Sequence, residues 1–152
     1  MRDAPDVITH PPFLYLGALA AGLALDWVWP APFLPATLQY AAGAALIVLA
    51  AALAGWAFAR FLRAGTNIPT SRPTTALVTE GPYRYSRNPI YIGLTLLYLG
   101  LALVIDSAWI VALIVPVLVA IRYGVVAREE RYLEGKFGDA YRAYTARVRR
   151  WL

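Results

Sequence analysis

The sequence of 152 residues contains no cysteine and only one histidine, His10. The missing cysteine excludes disulfides, thiolate nucleophiles and cysteine-ligated metals, and one histidine leaves little for a histidine-rich metal site. Charged residues make up 15% of the chain and hydrophobic residues 60%, which is far from the composition of soluble domains. Any chemistry must therefore use Arg, Asp, Glu, Asn and Tyr side chains together with a bound cofactor.

The sequence contains several long apolar runs with few charged residues. Four of them reach or approach the length needed to cross a bilayer core of about 30 Å. They run from Pro12 to Trp29, from Leu38 to Leu62, from Pro89 to Ile105, and from Ala108 to about Val126. Only Asp106-Ser107 separates the short third span from the fourth, which predicts a tight helical hairpin, and Pro116 predicts a kink in the fourth. We predict an all-α polytopic membrane protein with four transmembrane helices, forming one domain over residues 1–152.

Lysine and arginine are unequally distributed between the ends of these spans. The linkers after spans one and three contain none, residues 60–88 contain five, residues 122–152 contain eight, and Arg2 completes the fourteen. With four spans, the positive-inside rule predicts that the N-terminus, the loop 65–88 and the C-terminal tail are all cytoplasmic. Phe13–Leu25 resembles the apolar core of a signal peptide, but its removal would spoil this pattern, so an uncleaved anchor is favoured. We expect an integral protein of a prokaryotic inner or cell membrane.

Residues 127–152 are polar and predict an amphipathic helical tail. Helix is expected to continue beyond Val126, to break at Gly135–Gly138, and to resume with Asp139 as the cap of a last helix. On that helix one face is formed by Tyr141, Tyr144, Val148 and either Trp151 or Leu152. This pattern is typical of a helix lying on the membrane surface.

The third predicted span is preceded by a polar, turn-rich segment, Glu80–Gly93, which reads Glu-Gly-Pro-Tyr-Arg-Tyr-Ser-Arg-Asn-Pro-Ile-Tyr-Ile-Gly. Because spans three and four form a hairpin, Asn88-Pro89 can lie close to Glu129-Glu130. The shared pocket would contain tyrosines, arginines and two carboxylates. Tyrosine faces attract cations, arginine binds carboxylates, and glutamate binds hydroxyl or ammonium groups. These groups suit S-adenosylmethionine.

Two motifs in this order carry a family resemblance. The pattern Gly-Pro-Tyr-Arg-Tyr-x-Arg-Asn-Pro-x-Tyr-x-Gly is followed by Glu-Glu-x-x-Leu-x-x-x-Phe-Gly-x-x-Tyr-x-x-Tyr. Together they resemble the integral-membrane methyltransferases, which include isoprenylcysteine carboxyl methyltransferase and the phospholipid N-methyltransferases. The resemblance covers residues 75–151, about half of the chain.

The resemblance implies that the loop, the start of span three and the helix after span four bind S-adenosylmethionine. The implied residues are Thr75, Ala76, Leu77, Val78, Tyr83, Asn88, Pro89, Ile90, Tyr91, Glu129 and Glu130. We expect Arg87, Arg128 and Glu130 to act in the reaction itself. The family commonly has histidine where this chain has Asn88, which can donate and accept hydrogen bonds but cannot titrate. The eukaryotic carboxyl methyltransferases have arginine where this chain has Val125.

The leading hypothesis is S-adenosylmethionine-dependent methyl transfer to a lipophilic or small acceptor at the cytoplasmic membrane face. Phosphatidylethanolamine-like amines, prenylated carboxylates, quinone-type phenols and small thiols all stay open as acceptors. We expect membrane lipids as partners and neither nucleic acid nor metal. A homo-oligomer stays open, because the small residues of span two suit either internal packing or a dimer.

Two alternatives remain. A small four-helix transporter would need an ionisable residue on its pathway, and Asp26 is the only acid within a predicted span. Because Trp27 and Trp29 flank it, an interfacial position is favoured for Asp26. A non-catalytic membrane scaffold that binds partners through its basic tail is the other alternative.

Overall fold

A computed structural model describes residues 9–68 and 73–152. The described residues are helical and contain no β-strand, which confirms the predicted all-α fold for this part of the chain. The α-helices are α1 (Pro11–Val28), α2 (Ala36–Ala64), α3 (Pro89–Ile105), α4 (Ala108–Ala120), α5 (Ala127–Phe137) and α6 (Asp139–Thr145). A 3-10 turn, Gly81–Arg84, precedes α3, and a π-helical segment, Ile121–Val126, joins α4 to α5. Arg2 and Arg72, which belong to the charge pattern, lie outside the described residues.

Three helical stretches of the described chain are long and apolar enough to cross a membrane. They are Pro11–Val28, Ala36–Ala64 and the continuous helix Ala108–Phe137. These long apolar helices identify a membrane protein. The remaining apolar helix, α3, has 17 residues. It rises about 26 Å, slightly less than a bilayer core of about 30 Å.

Helix α3 packs along α2 through small residues. A Cβ atom added at Gly43 of α2 would lie 2.9 Å from the carbonyl oxygen of Gly100 on α3. One added at Gly93 of α3 would lie 3.5 Å from the carbonyl oxygen of Ala50. Such close backbone approach drives helix association where lipid removes the ordinary hydrophobic force. The small residues at these positions of α2 therefore serve packing within the chain.

The predicted turn between α3 and α4 hydrogen-bonds to the linker between α1 and α2. Asp106 ends α3 in the left-handed conformation, with φ of 58°. Its Oδ1 accepts hydrogen bonds from the backbone N–H groups of Phe33 and Leu34, both at 3.0 Å. Ser107 caps α4 by accepting from the N–H of Ile110 at 3.5 Å. The α1–α2 linker is thus held against the α3–α4 hairpin.

The helix continues beyond Val126, as the sequence predicts. The chain stays helical through Pro116 and adopts the wider π-helical turn five residues later. Ile121, Val125 and Glu129 are all buried, although residues four apart drift by roughly 40° around an ordinary α-helix. The extra residue of a π turn offsets this drift. The buried side of α4 therefore continues as far as Glu129.

The C-terminal tail differs from the prediction in three respects. Helix α6 ends at Thr145, so Val148 and Trp151 lie beyond it. Tyr141 and Tyr144 are only 4% exposed, so their face packs against the protein and not on a membrane surface. Asp139 does not cap α6 but is its first residue, and its Oδ1 accepts from Arg142 at 2.6 Å. Periodicity located an apolar face but could not tell what covers it.

The close packing of α2 on α3 predicts that Gly100→Ala destabilises the protein. The new Cβ would lie 3.0 Å from the Gly43 carbonyl oxygen, and overpacking of this kind costs about 1–3 kcal/mol. Thermal unfolding in detergent should show a lower Tm. Gly55→Ala is the matched control in α2, because its Cβ would meet nothing within 4 Å. Equal Tm values for the two variants would contradict the packing described.

Candidate active site

A small cavity lies where the loop before α3 meets the end of α2, the start of α5, and α6. Its volume is about 60 Å³. We call it the inner cavity, and it is lined by Phe61, Thr74, Ala76, Leu77, Val78, Tyr83, Arg87, Asn88, Glu129, Glu130, Leu133, Tyr141 and Tyr144. The loop, the start of α3 and the helix after α4 therefore converge on one space.

A larger cavity of about 370 Å³ adjoins the inner one between α1, α2 and α3. This outer cavity shares five lining residues with the inner cavity: Phe61, Tyr83, Arg87, Asn88 and Glu129. The rest of its wall is largely apolar and consists of His10, Pro11, Pro12, Phe13, Phe58, Ile68, Pro89, Ile90, Tyr91 and Leu94. The two cavities thus meet at a wall that carries the Glu129 carboxyl group.

Glu129 is a buried acid, with 5% of its surface exposed. The hydroxyl of Tyr91, on α3, donates to Glu129 Oε1 at 2.7 Å. Because a buried carboxyl group needs hydrogen-bond partners, this contact fixes the side chain between α3 and α5. Tyr91 therefore orients Glu129 at the boundary between the two cavities.

The neighbouring acid, Glu130, is held by two arginines. Arg87 Nη1 lies 3.0 Å from Glu130 Oε1, and Arg150 Nε donates to the same oxygen at 2.8 Å. A second bond joins the Arg150 guanidinium to Glu130 Oε2. This bidentate hydrogen bond raises the pKa of Arg150. Two of the predicted reaction residues, Arg87 and Glu130, therefore form an ion pair with each other.

The C-terminus closes over the turn before α3. The N–H of Arg87 donates to the Arg149 carbonyl at 3.0 Å, and the Asn88 amide donates to the Arg150 carbonyl at 3.0 Å. Ser86 Oγ donates to the same carbonyl at 3.2 Å. We call these contacts, with the Arg150–Glu130 pair, the C-terminal clasp. Asn88 thus holds the tail as well as lining both cavities.

Three tyrosines of the inner cavity are held in their protonated form. Burial raises the pKa of Tyr83 and of Tyr144 well above the ordinary value, with smaller contributions from neighbouring groups. Burial, helped by the Glu130 carboxylate, raises the pKa of Tyr141 to about 12. These phenols are hydrogen-bond donors at neutral pH, and Tyr144 donates to the Tyr83 carbonyl at 2.7 Å. None of the three is suited to act as a general base there.

The structure divides the predicted cofactor residues between the two cavities. Ala76, Leu77 and Val78 line the inner cavity alone, with Glu130. Pro89, Ile90 and Tyr91 line only the outer cavity. Tyr83, Asn88 and Glu129, with Arg87, line both.

Two predicted residues line neither cavity, and several lining residues were not predicted. Thr75 is exposed, and its N–H donates to Thr66 Oγ1 at 2.8 Å; Arg128 also lies outside both walls. The additional residues of the site are Phe61, Thr74, Leu133, Tyr141, Tyr144 and, through the clasp, Arg150. Leu133, Tyr141 and Tyr144 are positions of the second motif, which could have indicated them, whereas the spacing of the two tyrosines alone predicts a membrane-facing stripe. Phe61 resembles any other apolar helix residue.

Two buried polar atoms of the inner cavity have no hydrogen-bond partner within residues 9–68 and 73–152. They are Thr74 Oγ1 and Arg87 Nε. Because nearly all buried polar groups in proteins bond to protein or ordered water, these atoms are suited to bind a water molecule or a polar ligand. Over the same residues, no group of three or more His, Asp or Glu side chains is arranged to hold a metal ion.

A family model described as phospholipid methyltransferase matches residues 38–140. The chain belongs to the phospholipid methyltransferase family. The match covers more than half of the chain and extends from α2 into α6, so it contains most of both cavity walls. The resemblance to membrane methyltransferases is thereby confirmed, and the family is one of methyltransferases.

The chain is also similar to an uncharacterized protein of Haemophilus influenzae. The two are 45% identical over 65 residues, which is 41% of this chain and 100% of that protein. No solved structure matches the chain.

The C-terminal clasp predicts that Arg150→Gln loosens the tail. Hydrogen bonds to charged groups contribute about 1.5–3 kcal/mol, so the Arg87 amide, which donates to Arg149, should exchange its hydrogen at least tenfold faster. Hydrogen exchange followed by mass spectrometry measures this. Arg147→Gln is the control, because Arg147 is exposed and its side chain donates to the carbonyl of Ala143, outside the clasp. Equal protection in both variants would show that the clasp contributes nothing.

Proposed function

We propose that this protein transfers a methyl group from S-adenosylmethionine to a lipophilic or small acceptor at the cytoplasmic face of the membrane. The observation that carries the proposal is the meeting, at the buried Glu129, of an inner cavity whose wall includes the polar side chains of Thr74 and Glu130 with a larger, apolar outer cavity. Methyl transfer between a polar cofactor and a lipophilic acceptor needs two such compartments to meet. Residues 1–152 would act as one domain.

The inner cavity has the donor set that S-adenosylmethionine requires. Thr74 Oγ1 and Arg87 Nε are unpaired buried atoms that could donate hydrogen bonds to a carboxylate. Tyr83 offers an aromatic ring beside the shared wall, and Glu129 suits hydroxyl or ammonium groups. Since pockets for ligands of this size measure about 300–1,000 Å³, a cavity of about 60 Å³ must widen on binding.

The protein needs no nucleophile of its own for this reaction. When bound, S-adenosylmethionine supplies a methyl group on a sulfonium centre, to which an acceptor lone pair bonds as the carbon–sulfur bond breaks and its electrons stay on sulfur. The chain's residues would hold the two compartments in line and exclude water, which provides most of the rate in such displacements. Tyr91 orients Glu129, and the Arg87–Glu130 pair fixes the loop. Thr75 and Arg128, which line neither cavity, have no role in this scheme.

The outer cavity is the proposed acceptor site. Its apolar wall lies between the start of α1, α2 and α3, so a lipophilic acceptor would enter from the bilayer. The family name favours phospholipid amines, while prenylated carboxylates, quinone-type phenols and small thiols stay open. An amine acceptor would have to arrive deprotonated, because the tyrosines of the inner cavity keep their protons.

We also propose that α3 is a fourth membrane span and that both termini are cytoplasmic, in a prokaryotic inner or cell membrane. The contacts of Gly43 with Gly100 support insertion of α3 beside α2. The positive-inside rule supports the orientation. Arg60 and Arg63 lie near the C-terminal end of α2, and the C-terminal basic residues follow α4, so four spans would put both groups on one side of the membrane.

No observation favours a transporter. Asp26, the acid on which that alternative depends, accepts from the N–H of Ala31 at 3.3 Å, in the linker after α1. The unpaired buried atoms of the inner cavity favour a ligand-binding enzyme over a scaffold.

The cofactor proposal predicts that Glu129→Gln weakens binding of S-adenosylhomocysteine at least tenfold, because a hydrogen bond to a charged group such as the ammonium of this ligand contributes about 1.5–3 kcal/mol. Calorimetry on the purified protein measures the affinity. Glu134→Gln is the matched control, since Glu134 lies on the same helix and only pairs with the exposed Arg142. Absence of any binding to the native protein would overturn the proposed function.

The acceptor proposal predicts a different result for Leu94→Trp. Leu94 lines only the outer cavity, so the bulkier ring should raise the KM for a lipophilic acceptor and leave S-adenosylhomocysteine affinity unchanged. The assay follows labelled methyl groups from S-adenosylmethionine into membrane extracts, which also identifies the acceptor. Leu97→Trp is the control on α3, because Leu97 lines no described cavity. A matching rise in KM for both variants would exclude the outer cavity as the acceptor site.

A further inference from the structure

A second apolar groove lies on another face of α3. This lateral groove has a volume of about 540 Å³ and runs between α3 and α4, with Leu96, Val115 and Val119 in its walls. Val115 and Val119 are 62% and 53% exposed. It shares no lining residue with the inner or outer cavity. The groove is therefore separate from the proposed reaction site and faces the surroundings of the helices.

One end of the lateral groove carries a positive charge. Arg122 lines it together with Tyr123 and Trp151. Arg122 has no ion pair with any residue of the described chain, and its guanidinium carbon lies 5.5 Å from the centre of the Tyr123 ring. Arg122 lies fourteen positions after Ala108, the first residue of α4, which is about 21 Å along a helix. In a core of about 30 Å the long side chain can extend to the headgroup level.

We propose that the lateral groove binds an anionic phospholipid, with one acyl chain between α3 and α4 and the phosphate on Arg122. The Arg122 guanidinium, which has no ion pair with the described residues, would bind an anionic group, and the apolar groove beside it would bind an apolar chain. A phospholipid with a negative headgroup carries both. Residues 122–152 contain eight Lys and Arg against four Asp and Glu, so the local field favours a headgroup of net negative charge. Tyr123 and Trp151 add aromatic rings of the kind enriched at membrane interfaces.

The proposed lipid would also contact the C-terminal clasp. Trp151 lines the groove and follows Arg150 directly, and the Arg150 guanidinium holds Glu130. Contact with Trp151 would therefore favour the closed position of the tail. The lipid acts here as a bound ligand and not as a methyl acceptor, because the groove has no wall in common with the inner cavity.

The test compares lipid binding by Arg122→Gln and Arg63→Gln in the full-length protein. Native mass spectrometry in detergent measures binding of phosphatidylglycerol and of phosphatidylcholine with the same acyl chains. Arg63 is the matched control, an exposed arginine at the end of α2 that lines no described cavity. Arg122→Gln should weaken phosphatidylglycerol binding about fivefold or more, whereas Arg63→Gln should not. Equal losses in both variants, or none in either, would overturn the proposal.

A second variant blocks the groove without removing the charge. Val119→Trp should fill it and reduce phosphatidylglycerol binding as strongly as Arg122→Gln does. If Val119→Cys instead forms disulfide-linked dimers in membranes, the groove is an interface between two copies and the proposal is wrong. Arg122→Gln and Val119→Trp should bind S-adenosylhomocysteine like the native protein. Loss of lipid binding in these two variants would therefore be independent of the proposed methyl transfer.

Discussion

The carboxylate of Glu130 connects three parts of the chain that are distant in sequence. It belongs to α5 and pairs with Arg87, in the turn before α3, and with Arg150, two residues from the C-terminus. Glu130 is mostly shielded from water, with 16% of its side chain exposed, so these attractions are stronger than those of a surface pair. The adjacent Glu129 accepts instead from the Tyr91 hydroxyl and faces both cavities. Two neighbouring acids thus have different tasks, one holding the wall and the other facing the proposed ligand.

The helices and their meeting point were accessible from the sequence. Lengths of apolar runs predict helices directly, and the two-residue gap at Asp106-Ser107 requires a hairpin. That hairpin brings the start of α3 near the helix after α4, which is why Asn88 and Glu129 line the same cavities. Local pattern and simple geometry were sufficient for this part of the site.

The parts that the sequence did not reveal depend on packing between distant elements. The periodicity of Tyr141 and Tyr144 shows that one face of the tail is apolar, but a membrane and a protein surface satisfy such a face equally well. Arg150 resembles any other basic residue near a cytoplasmic end until its partner is known. Thr75 and Thr74 are neighbours of the same type, and only the course of the loop determines that Thr74 faces the cavity.

The π-helical turn at Ile121–Val126 sets the angular phase of everything that follows it. One extra residue in a turn rotates the following residues by about 100° relative to an uninterrupted α-helix. If the same residues formed an uninterrupted α-helix instead, Glu129 would turn away from Tyr91 and another side chain would lie at the boundary between the cavities. The local irregularity decides which of two consecutive glutamates accepts from Tyr91 and lines both cavities, so the proposed chemistry would depend on a helical irregularity several residues away from any group that takes part.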